Sequence, residues 1–213
     1  MFERIQQLLR AGRALALTTD RSHSTVALKF ERHASGAAAD RPFLLYGDQR
    51  FTYREANREV NRHAHAYKAL GLRKGDVVAL ILDNRPAFLW HFLAAGKLGV
   101  VAALVNTHNT GEPLLHALRV CNPKLIVVGS EHLGAFDQVR DDIDAAVRVF
   151  VDVDPDRPIN PSLAVWSEAL AGVSSDDPPE TAQHTLNDLA AYIYTSGTTG
   201  LPKGVEYNAR GAY

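Results

Sequence analysis

The chain has 213 residues, 46% hydrophobic and 22% charged, and its 23 basic and 24 acidic residues leave a net charge of -1. That length suits one to one and a half domains with a sizeable core. The balance excludes wholesale disorder, collagen-like repeats and a global attraction for nucleic acid. Cys121 is the only cysteine, which excludes an intramolecular disulfide and a cysteine-based zinc site and fits a reducing compartment.

Residues 1–23 read as a helical extension. Phe2, Ile5, Leu8 and Leu9 share a helical face with Arg4, Arg10 and Arg13 nearby. Such a face can dock onto the protein's own core or lie on an anionic membrane surface, and the segment lacks the long apolar core of a secretory signal. Residues 24–213 form the larger domain. Phe43–Tyr46 and Arg50–Thr52 are expected as a hairpin around Gly47-Asp48. Thr52-Tyr53-Arg54-Glu55 is a capping box opening a helix, with Ala56, Val60, Ala64, Tyr67 and Leu70 as its apolar stripe and Gly71 at its end.

Strands and helices then alternate: Val77–Leu82 (strand), Pro86–Lys97 (helix), Val100–Val105 (strand), Glu112–Val120 (helix), Leu125–Val128 (strand), Glu131–Asp144 (helix) and Val147–Val151 (strand). Apolar strands interleaved with amphipathic helices indicate an α/β protein whose largely parallel sheet is covered on both faces. Pro86–Val105 is the most apolar stretch. It contains His91 and Lys97, and its longest unbroken apolar run is too short to span a membrane. Residues 174–185, rich in Ser, Asp and Pro without apolar period, read as a surface linker. Leu189–Tyr194 is a further buried strand.

That strand runs into Thr195-Ser196-Gly197-Thr198-Thr199-Gly200-Leu201-Pro202-Lys203-Gly204, which has the parts of a polyphosphate cradle. Gly197, Gly200 and Gly204 let the backbone turn and bring N–H groups close to a ligand. Thr195, Ser196, Thr198 and Thr199 supply hydroxyl donors, Lys203 a mobile positive charge, and Pro202 stiffens the chain before it. The spacing fits neither the Walker pattern nor the Gly-x-Gly-x-x-Gly dinucleotide fingerprint.

The string from Tyr192 to Gly204 resembles the signature loop of the AMP-forming acyl-CoA synthetases, the adenylate-forming superfamily that includes luciferases and peptide-synthetase adenylation domains. Phe51-Thr52-Tyr53-Arg54-Glu55, Gly75–Leu80 and Ala94–Asn106 are similar to the opening of that family's large domain. Leu104-Val105-Asn106-Thr107 with Gly111–His116 resembles its fatty-acid transport and very-long-chain branch. The resemblance covers roughly residues 24–213 and implies the N-terminal part of the adenylate-forming large domain, incomplete.

The implied chemistry is ATP-dependent conversion of a fatty acid, through an acyl-adenylate, into its coenzyme A thioester, with release of AMP and diphosphate. Thr195, Ser196, Gly197, Thr198, Thr199 and Gly200 would wrap the phosphates. Lys203 would be the catalytic residue, holding or releasing pyrophosphate. Mg2+ would arrive with ATP and coenzyme A would act as co-substrate. The resemblance also implies a cytoplasmic protein, peripheral at the inner face of the plasma membrane. The family's acid pocket, adenine site, magnesium-holding glutamate and catalytic C-terminal lysine follow its phosphate loop, so these 213 residues are expected not to complete adenylation alone. Val205–Gly211 also departs from the family's usual Ser/Thr-His ending. A non-catalytic remnant or interaction module, with a partner chain or missing C-terminal portion, stays open beside the ligase reading, as does a ligase for aryl or short-chain acids.

No protein-held metal is expected. His63 and His65 are two apart on one helix and point to different faces, and no His-Glu-x-x-His string is present. His91 and His116 read as core or interface histidines, Asp141/Asp142/Asp144 and Asp152/Asp154/Asp156 as solvated turns, Cys121 as a packed thiol, and Ser130 and Ser196 as lacking triad partners.

Overall fold

The computed structural model describes residues 23–156, 162–196 and 201–210. The N-terminal face of Phe2, Ile5, Leu8 and Leu9 lies outside them. Helix α1 (Val26–Ser35) starts where the Thr25 side chain accepts a hydrogen bond from Leu28 N. The hairpin β1 (Pro42–Tyr46) and β2 (Gln49–Thr52) turns at Gly47, φ 55°, and leads into α2 (Tyr53–Ala69). The capping box is complete: Thr52 Oγ1 accepts from Glu55 N at 3.2 Å and Thr52 N donates to Glu55 Oε2 at 2.8 Å. Both ends of that loop satisfy otherwise orphaned amides, which fixes the helix start.

Strand β3 (Val77–Ile81), α3 (Pro86–Leu98), β4 (Val101–Leu104), α4 (Gly111–Cys121), β5 (Leu125–Gly129), α5 (Leu133–Asp137), β6 (Arg148–Asp152), α6 (Trp166–Ala169), β7 (Leu189–Ser196) and β8 (Pro202–Asn208) follow. Six strands form one sheet in the order β6-β5-β3-β4-β7-β8, parallel except for the antiparallel β7–β8 pair. Val78 and Leu80 pack with α2 and α3 on one face, while Ala79 and Ile81 pack with α4 and α5 on the other. With both faces covered, strand residues need no polar alternation, as the sequence pattern requires. No helix among the described residues is long and apolar enough to cross a membrane.

Two stretches depart from the expected elements. Residues 131–144 do not form one helix. A 3-10 turn (Ser130–His132), the short α5 and a second 3-10 turn (Arg140–Asp142) take their place. Only Phe136 and Val139 are buried there, too narrow a stripe to hold a long helix, and Asp141, Asp142 and Asp144 would crowd its negative C-terminal end.

Residues 174–185 run along the surface but are anchored at several points. Asp177 Oδ1 accepts from Asn57 Nδ2 at 2.8 Å, Asn61 Nδ2 at 2.9 Å and Lys97 Nζ at 2.8 Å. Thr181 and His184 are buried. His184 Nε2 lies 3.1 Å from the Lys97 carbonyl, against Gly99, where φ is 64° and an added Cβ would meet the imidazole at 2.6 Å. Glycine is required there on both counts.

Candidate functional site

Parallel strands bring the C-terminal ends of β3 to β7 to one edge of the sheet, where α/β proteins gather ligands. The end of β7 and the start of β8 lie on that edge. Strand β7 is held on one side by the ladder Ala102↔Ala191, Ala103↔Tyr192 and Leu104↔Ile193, and on the other by β8. The Tyr194 hydroxyl donates to the Ala117 carbonyl at 2.8 Å and pins the strand to α4. Burial raises that hydroxyl's pKa, and the neighbouring Cys121 adds to the shift.

The β7–β8 register sets Thr195 opposite Lys203 and Ser196 opposite Pro202. Directly paired residues project to the same face. Thr195 and Lys203 therefore share the face that also carries Ile193, Val205 and Tyr207, all large apolar side chains left exposed. Lys203 is exposed too, and no ion pair joins it to another described residue. Of the cradle residues, the structure thus places Thr195, the backbone of Ser196, and Lys203 at the mouth of the hairpin. Gly197, Thr198, Thr199 and Gly200 lie outside the described residues. Among the described residues, neither cluster of His, Cys, Asp or Glu able to hold an ion includes a hairpin residue.

Elsewhere the sequence expectations divide. Cys121 is buried, its Sγ 3.4 Å from the Leu118 carbonyl, and burial pushes its thiol pKa up, so it is an inert packed thiol. Ser130 Oγ accepts from Asp154 N at 2.9 Å and is part of a turn. Asp152 corrects the expectation of a solvated acidic turn. It is buried, its Oδ1 2.7 Å from Arg85 Nη1 and its Oδ2 3.1 Å from His91 Nε2. Burial pushes its carboxyl up, but the His91 hydrogen bond and the Arg85 guanidinium outweigh that and hold it down at about 2. His63 is equally buried, and desolvation, with His91 beside it, lowers its pKa to about 3. Sequence spacing could not bring His63, His91 and Asp152 together. The only hint was an aspartate at the end of an apolar strand, the position where parallel sheets place functional groups.

The model of the family described as AMP-binding enzyme matches residues 30–213. Long-chain fatty acid transport protein 6 of Homo sapiens is 33% identical over 183 residues, covering 84% of this chain and 29% of that protein. The medium/long-chain-fatty-acid–CoA ligase FadD6 of Mycobacterium tuberculosis is 32% identical over 199 residues, covering 92% and 31%. Among solved structures, the anthranilate CoA ligase AuaEII, in complex with anthranoyl-AMP, superposes with a TM-score of 0.78 at 23% identity, over 91% of this chain and 35% of that one. The fold is that of the N-terminal domain of adenylate-forming enzymes. The chain belongs to the AMP-binding enzyme family. It spans about three tenths of the length of the curated relatives it matches.

Proposed function

We propose that the chain is the ATP-handling N-terminal part of a fatty-acid–CoA ligase. The observation that carries this is the β7–β8 hairpin, which sets Lys203 opposite Thr195 at the strand-end edge, on either side of the Ser196-to-Gly200 run. A fatty-acid carboxylate oxygen attacks the α-phosphorus of ATP, the bond to the β-phosphate oxygen breaks, and pyrophosphate leaves. The coenzyme A thiolate then attacks the acyl carbon and AMP departs. The first step loads negative charge onto the leaving pyrophosphate. Lys203, the Thr195, Thr198 and Thr199 hydroxyls and the loop amides would counter that charge. The identity to fatty-acid transport and fatty-acid ligase proteins supports the choice of acid.

The test has two arms. In the 213-residue chain, ATP binding followed by calorimetry should weaken about tenfold in Lys203→Ala, since one charge-assisted phosphate contact is lost. Palmitate-dependent ATP–pyrophosphate exchange should be absent from this chain alone. In a product carrying the chain with the family's later segments, Lys203→Ala and Thr199→Ala should each slow that exchange about a hundredfold. Unchanged ATP binding and exchange in both variants would remove the hairpin from the mechanism. Exchange with benzoate but not palmitate would overturn the choice of acid.

A further inference from the structure

Two helices and one strand end, remote in sequence, converge on a cavity of about 240 Å³ behind the β1–β2 hairpin, lined among others by Phe51, His63, Arg85, Trp90 and Asp152. His63 on α2, His91 on α3 and Asp152 at the end of β6 are all buried, and one potential ligand atom of each lies within 4.8 Å of the other two. The contacts behind them decide which atoms are available. His63 Nδ1 is 2.8 Å from the Glu59 carbonyl, which can only accept. The proton therefore sits on Nδ1, and Nε2 keeps its lone pair. His91 Nδ1 is 2.8 Å from the Tyr67 hydroxyl, and its Nε2 is 3.1 Å from Asp152 Oδ2. Arg85 Nη1 holds Asp152 Oδ1 at 2.7 Å and Nη2 donates to the Asp152 carbonyl at 2.9 Å, so the carboxylate is fixed with Oδ2 toward His91.

A backbone carbonyl behind one imidazole, a hydroxyl behind the other and a guanidinium behind the carboxylate are the outer contacts that orient metal ligands. We propose that His63 Nε2, His91 Nε2 and Asp152 Oδ2 form a binding site for a divalent first-row transition ion of the zinc class. Two imidazoles and one carboxylate suit such an ion, and cavity water completes its coordination. Arg85 stands against two buried carboxylates, Asp152 and Glu131, which leaves one negative charge to offset the ion. Binding replaces the His91 Nε2–H···Oδ2 hydrogen bond. The imidazole passes to its other tautomer, Nδ1–H donates to the Tyr67 oxygen, and no net proton is released. Asp152 ends β6, which β5, β3 and β4 separate from β7 in the sheet. A second group, Asp83, Glu131 and His132, is nearer the surface and offers one imidazole with two carboxylates, so the two are distinguishable by ligand type.

The experiment uses the untagged 213-residue chain stripped with chelator. Zn2+ titrated against a chromophoric chelator should bind one equivalent, and His63→Gln should weaken it at least tenfold while His132→Ala leaves it unchanged. Zinc X-ray absorption on the unaltered chain should read two imidazole ligands, which decides the matter even if His63→Gln fails to fold. Absence of stoichiometric binding, binding indifferent to His63→Gln, or a zinc shell with one imidazole or none would each overturn the site.

Discussion

Asp177→Ala removes a carboxylate whose Oδ1 accepts from Lys97, Asn57 and Asn61 at 2.8, 2.8 and 2.9 Å. Lys97 is fully buried and, among the described residues, keeps only Glu31 as an ion-pair partner, at 2.7 Å, once Asp177 is gone. The Asn57 amide loses its acceptor outright, while Asn61 retains the Ser175 carbonyl. Breaking one side of a buried ion pair costs about 3–5 kcal/mol, because the remaining charge stays desolvated. The Asp177 side chain is 39% exposed, so water recovers part of the loss and the lower end applies, about 3 kcal/mol. For a chain of this size that lowers the melting temperature by about 6–12 °C.

Urea unfolding of both proteins, followed by circular dichroism, measures the difference. Lys97→Met combined with Asp177→Ala should cost less than the sum of the two, since each removes the same interaction. The acid dependence has a defined sign. Burial pushes the Asp177 carboxyl up, but hydrogen bonds from Lys97, Asn57 and Asn61 outweigh it and hold its pKa below 3.8. Its contribution is therefore complete above pH 3.8 and fades as the pH falls through the lowered folded value, where wild type and variant converge. A stability difference under about 0.5 kcal/mol at neutral pH, or strict additivity with Lys97→Met, would refute the reasoning.

Two further predictions concern packing. Gly99→Ala should destabilise by more than about 1 kcal/mol in the same assay, because the new Cβ meets the His184 ring at 2.6 Å in a left-handed backbone. Tyr194→Phe should cost about 1 kcal/mol through loss of its 2.8 Å bond to the Ala117 carbonyl, with faster amide exchange along β7 as the local readout.

Sequence alone determined the elements whose cause is local. The capping box at Thr52–Glu55 specifies a helix start through contacts three residues apart. Continuous apolar runs such as Val77–Leu82 and Leu125–Val128 specify strands buried on both faces. The string from Thr195 to Gly204 carried the family, because close backbone approach to phosphate demands particular residues in consecutive positions. The tertiary structure decided what depends on remote partners. Asn57, Asn61 and Lys97 break the apolar stripes of α2 and α3, and only the return of residues 174–185 over those helices explains them. Asp152 looked like one of three aspartates in a turn until strand β6 carried it against Arg85 and His91. Burying a charge or an imidazole is tolerable only where a partner waits. That partner can lie more than 60 residues away, at a distance no local pattern records.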